Sequence, residues 1–396
     1  MTSTVSSPPA TAVRRWRRAL FAMFAVFGLS LASWITRTPD IRDAVGASTA
    51  QMGLILAGLS VGSIVGITSA GRAVGRFGTR PVLIASGSAT IAGLATVATG
   101  TATGSAVLVG LGLGLFGLGM GCSEVAINVD GATVEQVTGR SVLPVLHGCF
   151  SLGTFLGALA GMGFSAMALP VTAHLASAAV AVGATTVWAL RGVPGGLRGG
   201  PDPDGAPVAS VWRDRGVLLI GVVVLGMAFA EGTANDWLPL IAVDGFGTST
   251  TVGSFAFALF ALVMAVGRFC GPWLLGRFGR STAVRVTAGL AAVGIAVVML
   301  APTMAVGSVG IVLWGLGTSL GFPVALSAAG DHPRDSAARV SAVATVGYLA
   351  FLAGPPLLGL LGEAIGLRQA IGVVVVLVAL AAICAPAARE RTPERG

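Results

Sequence analysis

Charge is scarce in this sequence, and lysine is missing altogether. Only 10% of the 396 residues are charged, and all 24 basic residues are arginine. Hydrophobic residues make up 54% of the chain, and the mean hydropathy is +0.88. A soluble globule of this length could not bury so much apolar surface, whereas a bilayer surrounds it with hydrocarbon. We therefore predict an all-α integral membrane protein.

Cysteine is also scarce, and its positions argue against two kinds of site. No pair has CxxC spacing, so neither a disulfide framework nor a metal site is indicated.

The arginines recur in short clusters between apolar runs and form no single basic face for nucleic acid. A GxGxxG match at Gly112–Gly117 lies inside an apolar run that no strand precedes. We expect no cofactor, no metal, no nucleic-acid partner and no enzymatic activity.

Twelve apolar runs are long enough to cross a bilayer, at about 20 residues each. Each is predicted to be one transmembrane helix, and the even count does not depend on their exact limits. They lie at 19–38, 48–70, 81–101, 104–129, 141–167, 169–190, 216–239, 249–272, 282–302, 304–329, 338–362 and 368–386.

The longest hydrophilic stretch divides these runs into six and six. It extends from Arg191 to Arg215 and is rich in glycine and proline, which do not sustain a transmembrane helix. The predicted organisation is a tail at 1–18, a six-helix bundle at 19–190, a linker at 191–215, a second bundle at 216–386 and a tail at 387–396.

The arginines predict the orientation of the chain. With the amino terminus in the cytoplasm, only Arg37, Arg42 and Arg368 fall on the outer side. Because arginine accumulates on the cytoplasmic side of membrane proteins, we predict that both termini and the linker are cytoplasmic.

The two halves share short sequence features. GRFGTR begins at Gly75 and GRFGRS at Gly276, each between the second and third runs of its half. FGLGMG at 116–121 resembles WGLGTSLG at 314–321, SLGTFLGALAG at 151–161 resembles LAGPPLLGLLG at 352–362, and Pro39 corresponds to Pro239. Such parallel repeats are typical of transporters. Gly78 and Gly279 are expected to adopt positive φ where the chain reverses.

Glycine spacing in the fifth run predicts close helix packing. Gly153, Gly157 and Gly161 recur every four residues, so they lie on one face and let a neighbouring backbone approach.

The segment from Gly71 to Arg80 resembles G-x-x-x-D-R-x-G-x-R of the major facilitator superfamily. The family's aspartate is replaced by Gly75 here and by Gly276 in the second copy. Residues 121–158 and 230–240 are similar to a bacterial branch of inner-membrane permeases distantly related to fucose permeases. The resemblance implies a monomer of two six-helix bundles related by pseudo-two-fold symmetry. The gating residues proposed on this basis are Gly71, Arg72, Arg76, Gly78, Arg80, Glu135, Arg277, Gly279 and Arg280.

Ionisable side chains are few within the apolar runs. Each costs roughly 2.5–3.5 kcal/mol at bilayer depth, so each is a candidate functional residue. Glu124 and His147 are predicted to lie at matched depth in the fourth and fifth helices, where they could share a proton or form a structural hydrogen bond. Glu231 is expected in the outer half of the seventh helix and Glu124 in the inner half of the fourth. We predict that all three couple proton movement to transport.

The predicted substrate-binding residues surround these groups. No arginine is expected at mid-membrane, which favours neutral, zwitterionic or cationic solutes over organic phosphates. Asp236 is alternatively an extracellular helix end without a role, and Trp34, Trp237 and Trp314 are alternatively anchors at the membrane surface. The substrate-binding candidates are Asn128, Asn235, Asp236, Trp237, Trp34 and Tyr348.

Together these features predict a secondary active transporter in the bacterial inner membrane. Its expected partners are a small organic solute, protons and the lipid bilayer. Alternating access powered by the proton gradient is the main hypothesis, with export preferred. Proton-coupled uptake of a sugar-like solute is the first alternative, and a non-transporting receptor or scaffold is the second.

Overall fold

The computed structural model describes residues 9–139, 142–195, 211–331 and 335–389, which contain helices and no strand. Parts of the predicted tails and linker, with Arg140, Arg198, Arg334, Arg391 and Arg395, lie outside these ranges. The helices are α1 Ala10–Ile35, α2 Thr38–Val45, α3 Thr49–Phe77, α4 Thr79–Thr103, α5 Ala106–Thr138, α6 Leu143–Ala166, α7 Val171–Ala189, α8 Arg215–Phe246, α9 Thr250–Phe278, α10 Arg280–Leu300, α11 Met304–Thr318, α12 Gly321–Gly330, α13 Ser336–Ile365, α14 Leu367–Ala370 and α15 Gly372–Cys384.

Within the described residues, 12 helical segments are long and apolar enough to cross a membrane. The helices α11 and α12 together form one of them, and a short 3-10 helix extends α15 to complete the last. The predicted all-α class and the count of twelve are confirmed, and the protein is a multi-pass membrane protein.

Several helices continue beyond their apolar runs. α5 extends to Thr138 and α8 to Phe246, where the sequence predicted ends near 129 and 239. Each helix ends at a glycine with left-handed backbone, Gly139 at φ 63 and Gly247 at φ 66. The N–H of each glycine donates to a carbonyl of the last turn, so a C-cap ends these helices.

The two GRFG copies make the same turn. Gly78, between α3 and α4, has φ 86, and Gly279, between α9 and α10, has φ 74. Both N–H groups bond to the preceding helix, Gly78 to the Val74 carbonyl at 2.8 Å and Gly279 to the Leu275 carbonyl at 2.9 Å. The expected positive φ is confirmed at both positions.

The chain forms two compact units. The first comprises Met1–Trp34, Gly58–Ala160 and Leu169–Pro201, and the second comprises Ile35–Ala57, Gly161–Ala168 and Asp202–Gly396. These limits differ from the predicted division at the linker, which stays a prediction.

Glycines bring the helices of the first unit into backbone contact. A Cβ on Gly153 of α6 would lie 1.9 Å from the Ala25 carbonyl oxygen of α1, and one on Gly157 would lie 2.4 Å from that of Leu29. On α3, a Cβ on Gly62 would lie 1.8 Å from the carbonyl oxygen of α5 that faces it. The predicted close packing of the fifth transmembrane helix is therefore confirmed, with α1 as the neighbour.

In the second unit α8 is the central helix and packs against α9, α13 and α15. Pro239 lies inside α8, which remains continuous. Its sequence counterpart Pro39 instead lies in the first turn of the short helix α2, which begins after the break at Thr36 and Arg37. The two prolines therefore occupy different local structures. Proline in a first helical turn, such as Pro39, costs no hydrogen bond, because the N–H at that position has no partner within the helix.

Candidate functional site

The second unit holds a partly buried ion pair between two of its long apolar helices. The Nη2 atom of Arg268 on α9 donates to Oε1 of Glu231 on α8 at 2.9 Å, and their side chains are 24% and 15% exposed. Both residues lie within candidate membrane spans. Glu231 is close to the midpoint of α8, and Arg268 lies about ten residues, or about 15 Å, before the end of α9.

This pair corrects the expectation that no arginine lies at mid-membrane. Arg268 was placed at the cytoplasmic surface because the eighth apolar run was taken to end soon after it. The helix in fact continues through Phe269 and Trp273 to Phe278, and all three side chains are exposed. Those apolar residues after Arg268 were the missed signal. The expectation that organic phosphates are disfavoured rested on the absence of such an arginine, so it no longer has that support.

A helix break lies beside the ion pair. The tenth span is interrupted between Thr318 and Gly321, where the sequence predicted a continuous helix. Pro323 stands in the first turn of α12 and has no N–H to donate to the Ser319 carbonyl, which accounts for the break. Discontinuous helices near the midplane commonly form transporter binding sites.

Two contacts place this break at the depth of Glu231. A Cβ on Gly321 would lie 2.4 Å from the side chain of Met227, one turn before Glu231 on α8. The indole N–H of Trp314 on α11 donates to the Ala230 carbonyl at 3.2 Å. The ion pair and the broken helix therefore lie side by side.

Asp236 lies one and a half turns after Glu231 on α8. Its side chain is 7% exposed and has no hydrogen-bond or ion-pair partner among the described residues. Because α8 continues about ten residues beyond it, the alternative that Asp236 is an extracellular helix end is wrong. A carboxyl group buried without a partner is costly to ionise, which keeps Asp236 a candidate for binding a proton or solute.

The predicted tryptophans are all inside the protein. Trp34, Trp237 and Trp314 are fully buried, so the alternative that they anchor the protein at the membrane surface is wrong. The exposed tryptophans of the described residues are Trp188, Trp212 and Trp273. Asn235 and Tyr348 are partly buried, and their role in binding solute stays a prediction.

In the first unit, Glu124 and His147 are both exposed, and the His147 ring contacts the Phe24 ring edge to face at 5.4 Å. On α6, Leu143 and Leu146 pack against Gly131 of α5. The matched depth of Glu124 and His147 stays a prediction. A proton-coupling role for each residue stays a prediction.

Glu124 and Glu231 are the two acids predicted to serve opposite gates. Glu124 lies near the midpoint of α5, and Glu231 lies near the midpoint of α8. The hypothesis that they serve opposite gates stays a prediction.

Asp130 is a buried acid that the sequence interpretation missed. It is fully buried on α5, and the indole N–H of Trp16 on α1 donates to its Oδ2 at 2.9 Å. The fourth apolar run was taken to end at 129, so Asp130 lay just outside it and was not among the candidates. The Oδ1 of Asn128, one half turn earlier, is buried and accepts no hydrogen bond within the described residues.

The proposed gating residues differ in their contacts. Glu135 accepts hydrogen bonds from the backbone N–H groups of Val142, at 2.5 Å, and Leu143, at 3.1 Å, and so caps the start of α6. Arg280 forms an ion pair with Asp331, which follows α12. A gating role stays a prediction for the whole set. The arginines at positions 72, 76, 80 and 277 are exposed.

Charged groups also connect the helix ends of the second unit. Arg42 on α2 pairs with Asp244 near the end of α8. Arg37 and Asp40 also form an ion pair, in which Nε of Arg37 lies 2.8 Å from Oδ2 of Asp40. Burial lowers the pKa of Arg37 and raises the pKa of Asp40, because each charged form loses hydration.

Arg368 binds the ends of two other helices. Its guanidinium donates to the carbonyls of Gly245, at 3.1 Å, Met299, at 3.1 Å, and Ala301. The same group stacks on the Phe246 ring, 4.2 Å from its centroid. Arg368 therefore supplies hydrogen-bond donors to carbonyl groups at the ends of α8 and α10.

The chain resembles known transporters along most of its length. The family model of the Major Facilitator Superfamily matches residues 19–350. An uncharacterised MFS-type transporter of Yersinia pestis is 28% identical, with 92% of this chain and 93% of the relative covered. An uncharacterised transporter of Sinorhizobium fredii is 29% identical, with 94% and 98% covered. The crystal structure of a variant of the Escherichia coli fucose:proton symporter FucP is similar at a TM-score of 0.65 and 16% identity, with 95% and 98% covered.

Proposed function

Because the chain belongs to the Major Facilitator Superfamily, we propose that it is a proton-coupled secondary transporter of a small organic solute that works by alternating access. The observation that carries this proposal is the ion pair of Glu231 and Arg268 inside two candidate membrane spans. We further propose the bacterial inner membrane as its location, with both termini in the cytoplasm.

The physical argument begins with the cost of the two charges. An ionisable group at bilayer depth costs roughly 2.5–3.5 kcal/mol, and pairing Glu231 with Arg268 offsets part of that cost. A proton that reaches Glu231 neutralises one partner and weakens its contact with Arg268. Protonation therefore changes the charge of the site, which is the requirement for coupling a proton to solute binding.

Two directions of transport are consistent with such a site. Export in exchange for protons requires that the proton and the solute compete for it. Uptake together with protons requires that they bind to it at the same time. The contact between Glu231 and Arg268, which protonation of Glu231 would weaken, favours simultaneous binding and therefore uptake as the second candidate function.

The test uses the purified protein in liposomes that contain a pH-sensitive dye. A solute panel that includes sugars, amino acids, amines and carboxylates is added, and proton movement that depends on the solute is recorded. We expect proton flux with at least one member of the panel. Imposed pH gradients of either sign then separate export from uptake, because only the correct gradient drives solute accumulation.

Glu231→Gln is the informative variant, and Glu363→Gln is its matched control. A glutamine side chain at position 231 would not ionise, so we expect solute exchange without proton movement. Glu363 is exposed at the end of α13 and accepts a bond from the Ala50 N–H at 3.2 Å, which glutamine can also accept. Unchanged coupling in Glu231→Gln would reject this proton site, and no flux with any solute would favour the receptor alternative.

A further inference from the structure

We propose that an arginine cluster at the start of α1 binds the phosphate of an anionic membrane lipid. The cluster surrounds a shallow depression of about 290 Å³ on the surface of the first unit. The residues that line it, called the arginine face below, are Thr11, Arg14, Arg15 and Arg18. This site lies outside the ion pair of the second unit and has no part in the proposed transport function.

The spacing of the lining residues places them together. They recur at intervals of three and four along α1, so they share one side of the helix. The other side is buried, and there the indole N–H of Trp16 donates to Oδ2 of Asp130 on α5 at 2.9 Å. Because this hydrogen bond fixes the rotation of α1, the three arginines of the arginine face stay exposed.

The arginine face has no acidic partner among the described residues. The acids of the first unit are Glu124, Asp130 and Glu135. Asp130 accepts from Trp16, Glu135 accepts from backbone N–H groups at the start of α6, and Glu124 lies near the midpoint of α5. Three neighbouring positive charges without a counter-charge from these acids attract an anionic ligand.

The surroundings of Arg15 indicate the depth of the arginine face in the membrane. A Cβ on Gly192, which follows α7, would lie 2.9 Å from the Arg15 carbonyl oxygen. Arg191 beside it is exposed, and Trp188, in the last turn of α7, is 47% exposed. Exposed tryptophan at the end of a membrane span is typical of the headgroup level. The arginine face therefore lies at the depth of lipid headgroups.

Exposed apolar side chains continue from this level into the spans. On α6, which packs against α1, Leu152 and Leu156 are exposed, and on α7 Val187 is exposed. Such side chains face hydrocarbon in a membrane-spanning helix. A lipid on the arginine face places its acyl chains against this surface, whereas a free phosphate ion gains nothing from it. This second contact favours a lipid over a free anion.

The chemistry of the cluster fits a lipid phosphate. Guanidinium groups bind two phosphate oxygens with parallel N–H bonds. Four or more basic residues directly before a span are typical of anionic lipid binding, and Arg14, Arg15, Arg17 and Arg18 meet this condition. Each basic residue near an anionic surface contributes about fivefold in affinity. Loss of three is therefore expected to weaken binding about 100-fold, and at least about 10-fold where salt screens the charges.

The experiment measures lipid binding by the purified full-length protein in a neutral detergent. The probe is phosphatidylglycerol labelled on its acyl chain, and binding is followed by energy transfer from tryptophan. Unlabelled phosphatidylglycerol is expected to displace the probe at concentrations at least about 10-fold lower than phosphatidylcholine, whose headgroup has no net charge. Inorganic phosphate at the same concentrations is expected not to displace it.

Two triple variants with the same change of net charge test the assignment. The first combines Arg14→Gln, Arg15→Gln and Arg18→Gln, and we expect it to bind the probe at least about 10-fold more weakly. The matched control combines Arg213→Gln, Arg285→Gln and Arg389→Gln, at three exposed positions of the second unit, and is expected to bind as the wild type does. Both are expected to melt as the wild type does without lipid, because the substituted side chains are exposed.

A further pair of variants keeps the test valid if the glutamine triple variant does not fold. Lysine at the same three positions keeps the charge and is expected to bind within about threefold of the wild type. The single substitution Arg18→Gln is expected to weaken binding about fivefold. Unchanged affinity in Arg18→Gln would contradict the proposal.

Three other results would overturn the proposal. The first is wild-type affinity in the glutamine triple variant. The second is an equal loss in the matched control, which would show that any exposed arginine suffices. The third is displacement of the probe by inorganic phosphate as readily as by phosphatidylglycerol, which would assign the arginine face to a free anion. Transport is not measured here, so the proposed function stands or falls separately.

Discussion

Removing one member of the Glu231 and Arg268 pair should destabilise the second unit much more than removing one member of a similar pair at the helix ends. The reference pair is Arg280 with Asp331. Its side chains are 24% and 31% exposed, close to the 24% and 15% of Arg268 and Glu231. The two pairs therefore differ mainly in their surroundings, because one lies within the spans and the other at helix ends in water.

The magnitude follows from that difference. Breaking a buried pair costs about 3–5 kcal/mol, and partial exposure of Glu231 and Arg268 reduces this to about 3 kcal/mol. An ion pair in water contributes about 0–1 kcal/mol. At about 2 °C per kcal/mol for a domain of this size, Arg268→Gln should lower the apparent melting temperature by about 6 °C, and Arg280→Gln by about 2 °C or less.

The assay is thermal unfolding of the purified protein in detergent, followed by tryptophan fluorescence. Adding Glu231→Gln to Arg268→Gln should restore much of the lost stability, since no unpaired charge then remains. A double variant whose loss equals the sum of the two single losses would refute the reasoning, because independent residues add.

Three other perturbations test the fold and the ends of its helices. Gly62→Val should prevent folding, since a side chain would displace the α5 backbone, whereas Gly289→Ala, where a Cβ meets no atom within 4 Å, should leave the melting temperature unchanged. Arg368→Gln should cost about 1.5–3 kcal/mol in thermal unfolding, because charged donors to three carbonyls are lost. The hydrogen bond from Arg339 lowers the pKa of Asp214, so its stabilisation is present above about pH 4 and disappears as the pH falls through the lowered pKa. Melting temperatures of the wild type and Asp214→Asn should therefore converge in acid, and a difference that persists there would contradict this prediction.

The limits of the helices were the least predictable part of the fold. Apolar runs report where hydrocarbon surrounds a helix, whereas caps decide where it ends. Gly139 and Gly247 end α5 and α8 well beyond the apolar runs. This error had consequences for the site, because it left Asp130 outside the apolar runs and made Asp236 look like a helix end.

The candidate site was predictable only in part. Glu231 was identified because a carboxylate in an apolar run is costly. Its partner Arg268 was missed, since pairing across two helices depends on how their faces meet and no local pattern encodes it. The break before Gly321 had a local signal in Pro323, which removes a backbone donor.

The sequence by itself determined the twelve helices, the turns at Gly78 and Gly279 and the close packing at Gly153, because each depends on composition or on the backbone freedom of one residue type. Tertiary structure alone decided which charges meet. It paired Arg268 with Glu231 and Trp16 with Asp130, since the position of a side chain along one helix relative to the next depends on how the two helices pack.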